Sequence, residues 1–89
     1  MKKDDIVTVV TFAGEFVGKY VSTDGSTITI KDPRMVIQSQ QGMGFAKGIC
    51  VTGEMDPKEV TFQSYVFVAD TNDEIIKAWR QATSGLVTV

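Results

Sequence analysis

The chain has 89 residues, 43% of them apolar, with a net charge of −2, one cysteine and no histidine. That length makes one domain, and burying only roughly 60–65% of its unfolded surface leaves an isolated core marginal. The missing histidine removes His-based triads and most zinc chemistry, the lone cysteine excludes an internal disulfide, and the acidic balance works against nonspecific nucleic-acid binding.

The start, MKKDDIVTVV, places two lysines before an apolar run, as a signal peptide does. Asp4 and Asp5 follow at once and Thr8 and Thr11 interrupt the run, so secretion is not expected. No stretch approaches a membrane span, and a cytoplasmic protein is the expectation. Cys50 fits a reducing compartment and reads as a small buried apolar residue.

From Ile6 to Ile30, β-branched and aromatic residues alternate with polar ones, broken by Gly14, Gly18 and Asp24-Gly25. Alternation of period two with such breaks predicts successive antiparallel strands, over residues 5–12, 15–22 and 27–31. Ala13-Gly14 and Asp24-Gly25 are hairpin signals. Gly18 falls inside the second strand, where a missing side chain permits a sharp bend or a close backbone approach. Ile28 and Ile30 should point inward.

Asp32-Pro33 interrupts the pairing, because proline has no donor. Extended chain resumes over 35–39, and QSQQGMG, residues 38–44, reads as a flexible loop. Phe45 to Thr52 predicts a fourth strand and Gly53 to Glu59, with Asp56-Pro57, a turn or short insertion. Val60 to Ala69 predicts a fifth strand, with Val60, Phe62, Val66 and Val68 on one face and Tyr65 and Phe67 on the other. Apolar groups on both faces are excessive for a monomeric barrel and imply a partner surface.

Thr71-Asn72-Asp73-Glu74 fits a capping box with Thr71 as cap, and Asp70, Asp73 and Glu74 place negative charge where a helix start favours it. Ile75, Ile76, Trp79 and Ala82 then form one apolar stripe of a helix over about 72–83, with Gly85 as its stop and Leu86–Val89 as a short tail. Trp79 is expected to pack that helix on the barrel or on a neighbouring subunit. The expected architecture is therefore all-β: five strongly bent strands in a small barrel, with a C-terminal helix.

Two glycine-rich segments fail as nucleotide loops. Gly14 to Lys19 is one residue short of the phosphate-loop pattern, Tyr20 stands where Ser or Thr is required, and strand rather than helix follows. Gly42 to Gly48 lacks the strand-to-helix setting of a dinucleotide loop. Eleven carboxylates are present, but no catalytic pair emerges, and no cofactor or enzymatic activity is expected.

The spacing of Gly18, Tyr20 and Asp24 resembles the second half of the first motif of the Sm-like (LSm) family. Ile49 to Glu54 echoes its second motif, with Thr52 in place of the arginine before Gly53. The step from Gly14 to Gly18 is one residue shorter than the family spacing, and a helix that often precedes the barrel would here follow it. The resemblance covers about residues 5–69, and the chain looks most like the small Sm-like proteins carried by tailed phages of cyanobacteria.

This resemblance implies an SH3-like barrel and a homo-oligomeric ring of about five to seven subunits, the fourth strand of one subunit pairing with the fifth of the next. Ile49, Val51, Tyr65 and Phe67 are the expected interface residues. It also implies single-stranded RNA as a partner, in a phage or its host's cytoplasm, at a degenerate pocket marked by Asp24, Ser26, Thr27, Thr52 and Gly53. Ser26 cannot stack a base, and Thr52 cannot replace a planar charged guanidinium. Backbone attraction through Lys31, Arg34 and Lys47 would then dominate over base selection. The alternative function is a protein-interaction or virion-assembly scaffold without nucleic acid.

Overall fold

A computed structural model describes residues 1–46, 48–50 and 52–84. Among them lie six antiparallel strands and one helix: β1 (Ile6–Thr11), β2 (Gly14–Asp24), β3 (Thr27–Ser39), β4 (Gly42–Phe45), β5 (Glu59–Phe62), β6 (Phe67–Asp70) and α1 (Asp73–Thr83). The sheet runs β4-β3-β2-β1-β6, with β5 also on β3, and it does not close. The fold is thus mostly β and barrel-like, with six strands where five were expected.

Alternation sets two faces. Val7, Val9, Phe16, Ile28 and Ile30 point inward and form one buried cluster. Each such side chain contributes roughly 1.5–3 kcal/mol on leaving water. Phe62 brings β5 onto this core, its ring 4.9 Å from that of Phe16. On the outward face, Ile6 and Val17 form a second cluster with Trp79 of the helix.

The bend in β2 has a steric cause. A Cβ at Gly18 would stand 2.7 Å from the Lys31 carbonyl oxygen, so only glycine lets the two strands approach this closely. The register with β3 shifts across this point, between Val17 and Lys19, and again between Tyr20 and Ser22. At the far end, Gly25 (φ +63°) supplies the left-handed turn residue between the paired Asp24 and Thr27.

The strand pattern differs from expectation beyond residue 31. Asp32-Pro33 bends β3 without ending it, Asp32 adopting a left-handed φ of 49°. Residues 38–44 are not a loop: Ser39 pairs with Gly42 across a two-residue turn, and β4 returns along the second half of β3. Phe45 ends β4, and the described residues among 46–52 form no strand. Ala46 N–H still donates to Met35 O (2.9 Å), and Asp32 N–H accepts the chain back by donating to Lys58 O (2.8 Å). β4 and β5 therefore follow the same edge of β3, as one strand interrupted by an excursion over residues 46–58. Its start faces the bend at 32–34, where proline offers no N–H, and Gly48, Gly53 and Pro57 favour turning chain. The expected fifth strand is likewise split: after β5, residues 63–66 leave the edge of β3 and cross to β1, where the chain continues as β6. Tyr65 packs against the core while Val66 is half exposed, the reverse of the expected faces, because this segment is not regular strand.

The helix starts one residue later than the capping box suggested. Asn72 is the N-cap, its Oδ1 accepting from Ile75 N–H at 3.0 Å. Thr71 is instead buried, its hydroxyl 2.8 Å from that of Thr8. Ile75, Ile76 and Trp79 face the sheet, whereas Ala82 is exposed. Trp79 is 1% exposed, and its indole N–H donates to Asp32 O at 2.9 Å, tying the helix to the bend in β3. Gly85 and Leu86–Val89 lie outside the described residues. No helix among those described is long and apolar enough to cross a membrane.

Candidate interaction surface

Two strand edges carry no pairing partner among the described residues. Hydrogen-bond alternation identifies the free donors. Thr71 N–H donates to Ile6 O, so in β6 the N–H groups of Val68 and Asp70 turn away from β1. By the same alternation from Ala46 and Asp32, Met43 and Phe45 of β4, and Glu59 and Thr61 of β5, present theirs outward.

Between these edges the outward face carries a groove of about 370 Å³, running from the first turn of the helix toward the β1–β2 turn. Val10, Val17, Val36, Met43, Phe67 and Ile75 supply its apolar lining, and Glu15, Asp70 and Asn72 its polar rim. Lys and Arg are absent from this lining. Several large apolar side chains are open to solvent: Phe12 (100%), Met43 (53%), Phe67 (52%) and Val66 (50%).

The residues expected at a subunit interface separate. Phe67 stands at this groove on the β6 edge, while Ile49 and Tyr65 pack on the core of their own chain. Val51 lies outside the described residues. Sequence reading missed Met43, because GMG looked like loop, and Phe12, because it sat beside a turn.

The expected RNA-contacting residues also divide. Asp24, Ser26 and Thr27 form the β2–β3 turn, where the Thr27 hydroxyl donates to Asp24 O at 2.8 Å. Thr52 and Gly53 lie exposed on the excursion, Gly53 N–H donating to Cys50 O at 3.4 Å. Among the described residues no hydrogen bond or ion pair joins the turn to the excursion. Cys50 is exposed, not buried, since the excursion carries it off the core.

Arg34 is not on an open basic face. It is 7% exposed, its guanidinium donating to Pro33 O (2.9 Å) and pairing with Asp56 (3.2 Å), which pins the excursion over the bend. Lys47 lies outside the described residues. Lys31 is exposed and has an unexpected companion: Lys19 stands directly opposite it on β2, with Glu59 on its other flank. Lys19 also borders a shallow groove of about 270 Å³ with Arg80 and Asp32. Neither lysine has an ion-pair partner among the described residues, which hold one ion pair, Arg34–Asp56. Like charges directly opposite across strands disfavour the sheet unless something neutralises them.

No protein-family model matches the chain, and no curated protein matches it either.

Proposed function

We propose that the chain is a non-catalytic assembly module of Sm-like type that closes into a homo-oligomeric ring. The observation that carries this reading is the pair of unpaired edges on opposite sides of one bent sheet. A β4–β5 edge of one subunit set against the β6 edge of the next satisfies free backbone groups on both and leaves no terminal edge once the ring closes. Apolar Met43 and Phe67 beside the two edges add burial to that pairing. The sequence reasons for a non-enzyme stand beside it: no histidine and no nucleotide loop.

Light scattering at micromolar concentration is expected to return a discrete oligomer of about five to seven subunits, a family-guided number for cyclic symmetry. Asp70→Pro removes one outward donor of β6 while sparing its bonds to β1, and should lower the mass to smaller species. A stable wild-type monomer overturns the reading.

The second reading, weak binding of single-stranded RNA, is favoured by one observation, the facing Lys19 and Lys31. With Arg34 committed to Asp56, backbone attraction would run through these lysines and Arg80, with little base selection. Filter binding of U-rich and A-rich oligonucleotides at two salt concentrations tests it: similar, salt-sensitive retention supports it, and no retention at low salt refutes it.

A further inference from the structure

Phe12 is fully exposed at the tip of the β1–β2 hairpin, in a two-residue turn with Ala13 between the paired Thr11 and Gly14. Such tips favour Gly, Asn or Asp, and an aromatic ring there leaves its whole apolar surface in water. The turn does not need it. Thr11 holds the loop by accepting from Ala13 N–H (3.0 Å) and donating its hydroxyl to Gly14 O (3.1 Å).

The 370 Å³ groove ends against this same turn, since the paired Val10 and Glu15 that lead into it line the groove. A closed apolar cavity of about 150 Å³ already accommodates benzene, so the groove has room for a phenyl ring. Met43 can adapt to an aromatic and offers its sulfur to the ring edge. With Glu15 and Asp70 at the rim and no cation, the groove suits an uncharged or basic occupant, and the Phe12-Ala13-Gly14 tip is uncharged.

We propose that this end of the sheet docks on itself: Phe12 of one copy seats in the groove of a second copy, reciprocally, about a two-fold axis. Knob and socket lie side by side on one surface, which is the condition for an isologous contact. Phe12, Val66, Phe67, Met43 and the groove walls present roughly 500 Å² of apolar surface per copy, at the upper end of the largest patch on ordinary monomers. Two copies then bury about 1,000 Å², the lower bound for a specific interface. The contact uses Met43 and Phe67, which the proposed edge pairing also covers, so it joins two chains in place of that pairing.

The test uses full-length chain carrying Cys50→Ser. Phe12→Cys protein mixed with Met43→Cys protein and oxidised should give disulfide-linked dimer at about tenfold or more the yield of Phe12→Cys mixed with Lys77→Cys, whose position on the helix is exposed. Phe12→Asp, which cannot disturb a core it does not enter, should weaken self-association at this contact by about tenfold or more, as loss of a buried aromatic anchor does; circular dichroism checks the fold. Equal cross-linking in both mixtures overturns the proposal. So do oligomers that persist in Phe12→Asp but dissociate in Glu59→Pro, which removes an outward β5 donor away from the groove, a result that leaves ring formation standing. Dissociation by Phe12→Asp with Glu59→Pro unaffected supports this contact and counts against the ring.

Discussion

Trp79 joins the helix to the sheet in two separable ways, and two substitutions isolate them. Its ring fills the space over Ile6 and Val17, and its N–H satisfies the carbonyl of Asp32, the residue held at left-handed φ. Trp79→Phe keeps most of the apolar contact but leaves that carbonyl without its donor, a loss of about 1–2 kcal/mol. Trp79→Ala removes the ring as well and should cost about 3–5 kcal/mol. A domain of this size holds roughly 5–15 kcal/mol in all, so the alanine variant approaches the unfolding threshold. With about 4–8 °C of melting temperature per kcal/mol, Trp79→Phe should melt about 5–15 °C below wild type. Thermal unfolding followed by circular dichroism, at one matched concentration because assembly adds to apparent stability, reads both. If Trp79→Phe melts with wild type and Trp79→Ala loses less than about 1 kcal/mol, the helix is not seated on the sheet through this residue, and the reasoning fails.

Gly18→Ala must push a Cβ into the Lys31 carbonyl oxygen and the Ile30 Cδ1 at 2.9 Å, so its urea midpoint should fall by the equivalent of about 1–3 kcal/mol. Gly25→Ala, with nothing within 4 Å, should cost only the left-handed backbone preference, about 1–2 kcal/mol, even though its site is fully open. Asn72→Ala should lower stability by about 1 kcal/mol through loss of the cap, while Thr71→Ser, which keeps the hydroxyl bonded to Thr8, stays closer to wild type in the same titration. Asp56→Asn should cost less than about 1 kcal/mol, because Asp56 is 64% exposed; Arg34→Ala, which also strips a packed side chain, should cost more, and a double-mutant cycle separates the two.

The first half of the fold was legible because local rules and packing agree there. Alternation, Gly18, and the Asp24-Gly25 turn all specify the β1–β2–β3 meander, and the inward set Ile28 and Ile30 is the buried one. The helix and the role of Trp79 followed from a 3.6-residue stripe and acidic first turn. Beyond Asp32 the pattern misled for identifiable reasons. Pro33 reads as a break, yet it falls where the β2–β3 register shifts, between the pairs Lys19–Lys31 and Val17–Arg34, so no ladder donor is lost there. Phe45, Ile49 and Val51 alternate like a strand, but extended pairing over 45–52 would need partners on β3 that the bend removes. Gly42-Met43-Gly44 has loop composition and forms a strand because its pairing is to backbone, which composition does not report. Arg34 looked like a free cation, and only the tertiary approach of Asp56 commits it. The Phe12–groove juxtaposition depends on β4 and β6 reaching the same face from opposite ends of the chain order, which no local window contains.

The character of the two edges bears on the proposed assembly. Monomeric β proteins guard their edges with charge, proline, bulges or a covering helix. Here β5 has Glu59 and the adjacent Lys58, and is protected in that sense. β4, Gly-Met-Gly-Phe, has neither charge nor proline, and β6 has only Asp70 at its end. The helix that could have covered an edge lies instead over Ile6 and Val17 in the middle of the sheet. An unguarded edge on each side of a strongly bent sheet is a liability for a chain that stays alone, because any second copy can pair with it. It is an economical arrangement for a chain that meets its own copies. The same contrast appears in the charges: the facing lysines lie on β2 and β3, while the β4 and β6 edges and their groove carry no cation among the described residues. The proposed contacts between copies and any contact with a polyanion thus fall on different parts of the surface, so salt should release the second and leave the first in place.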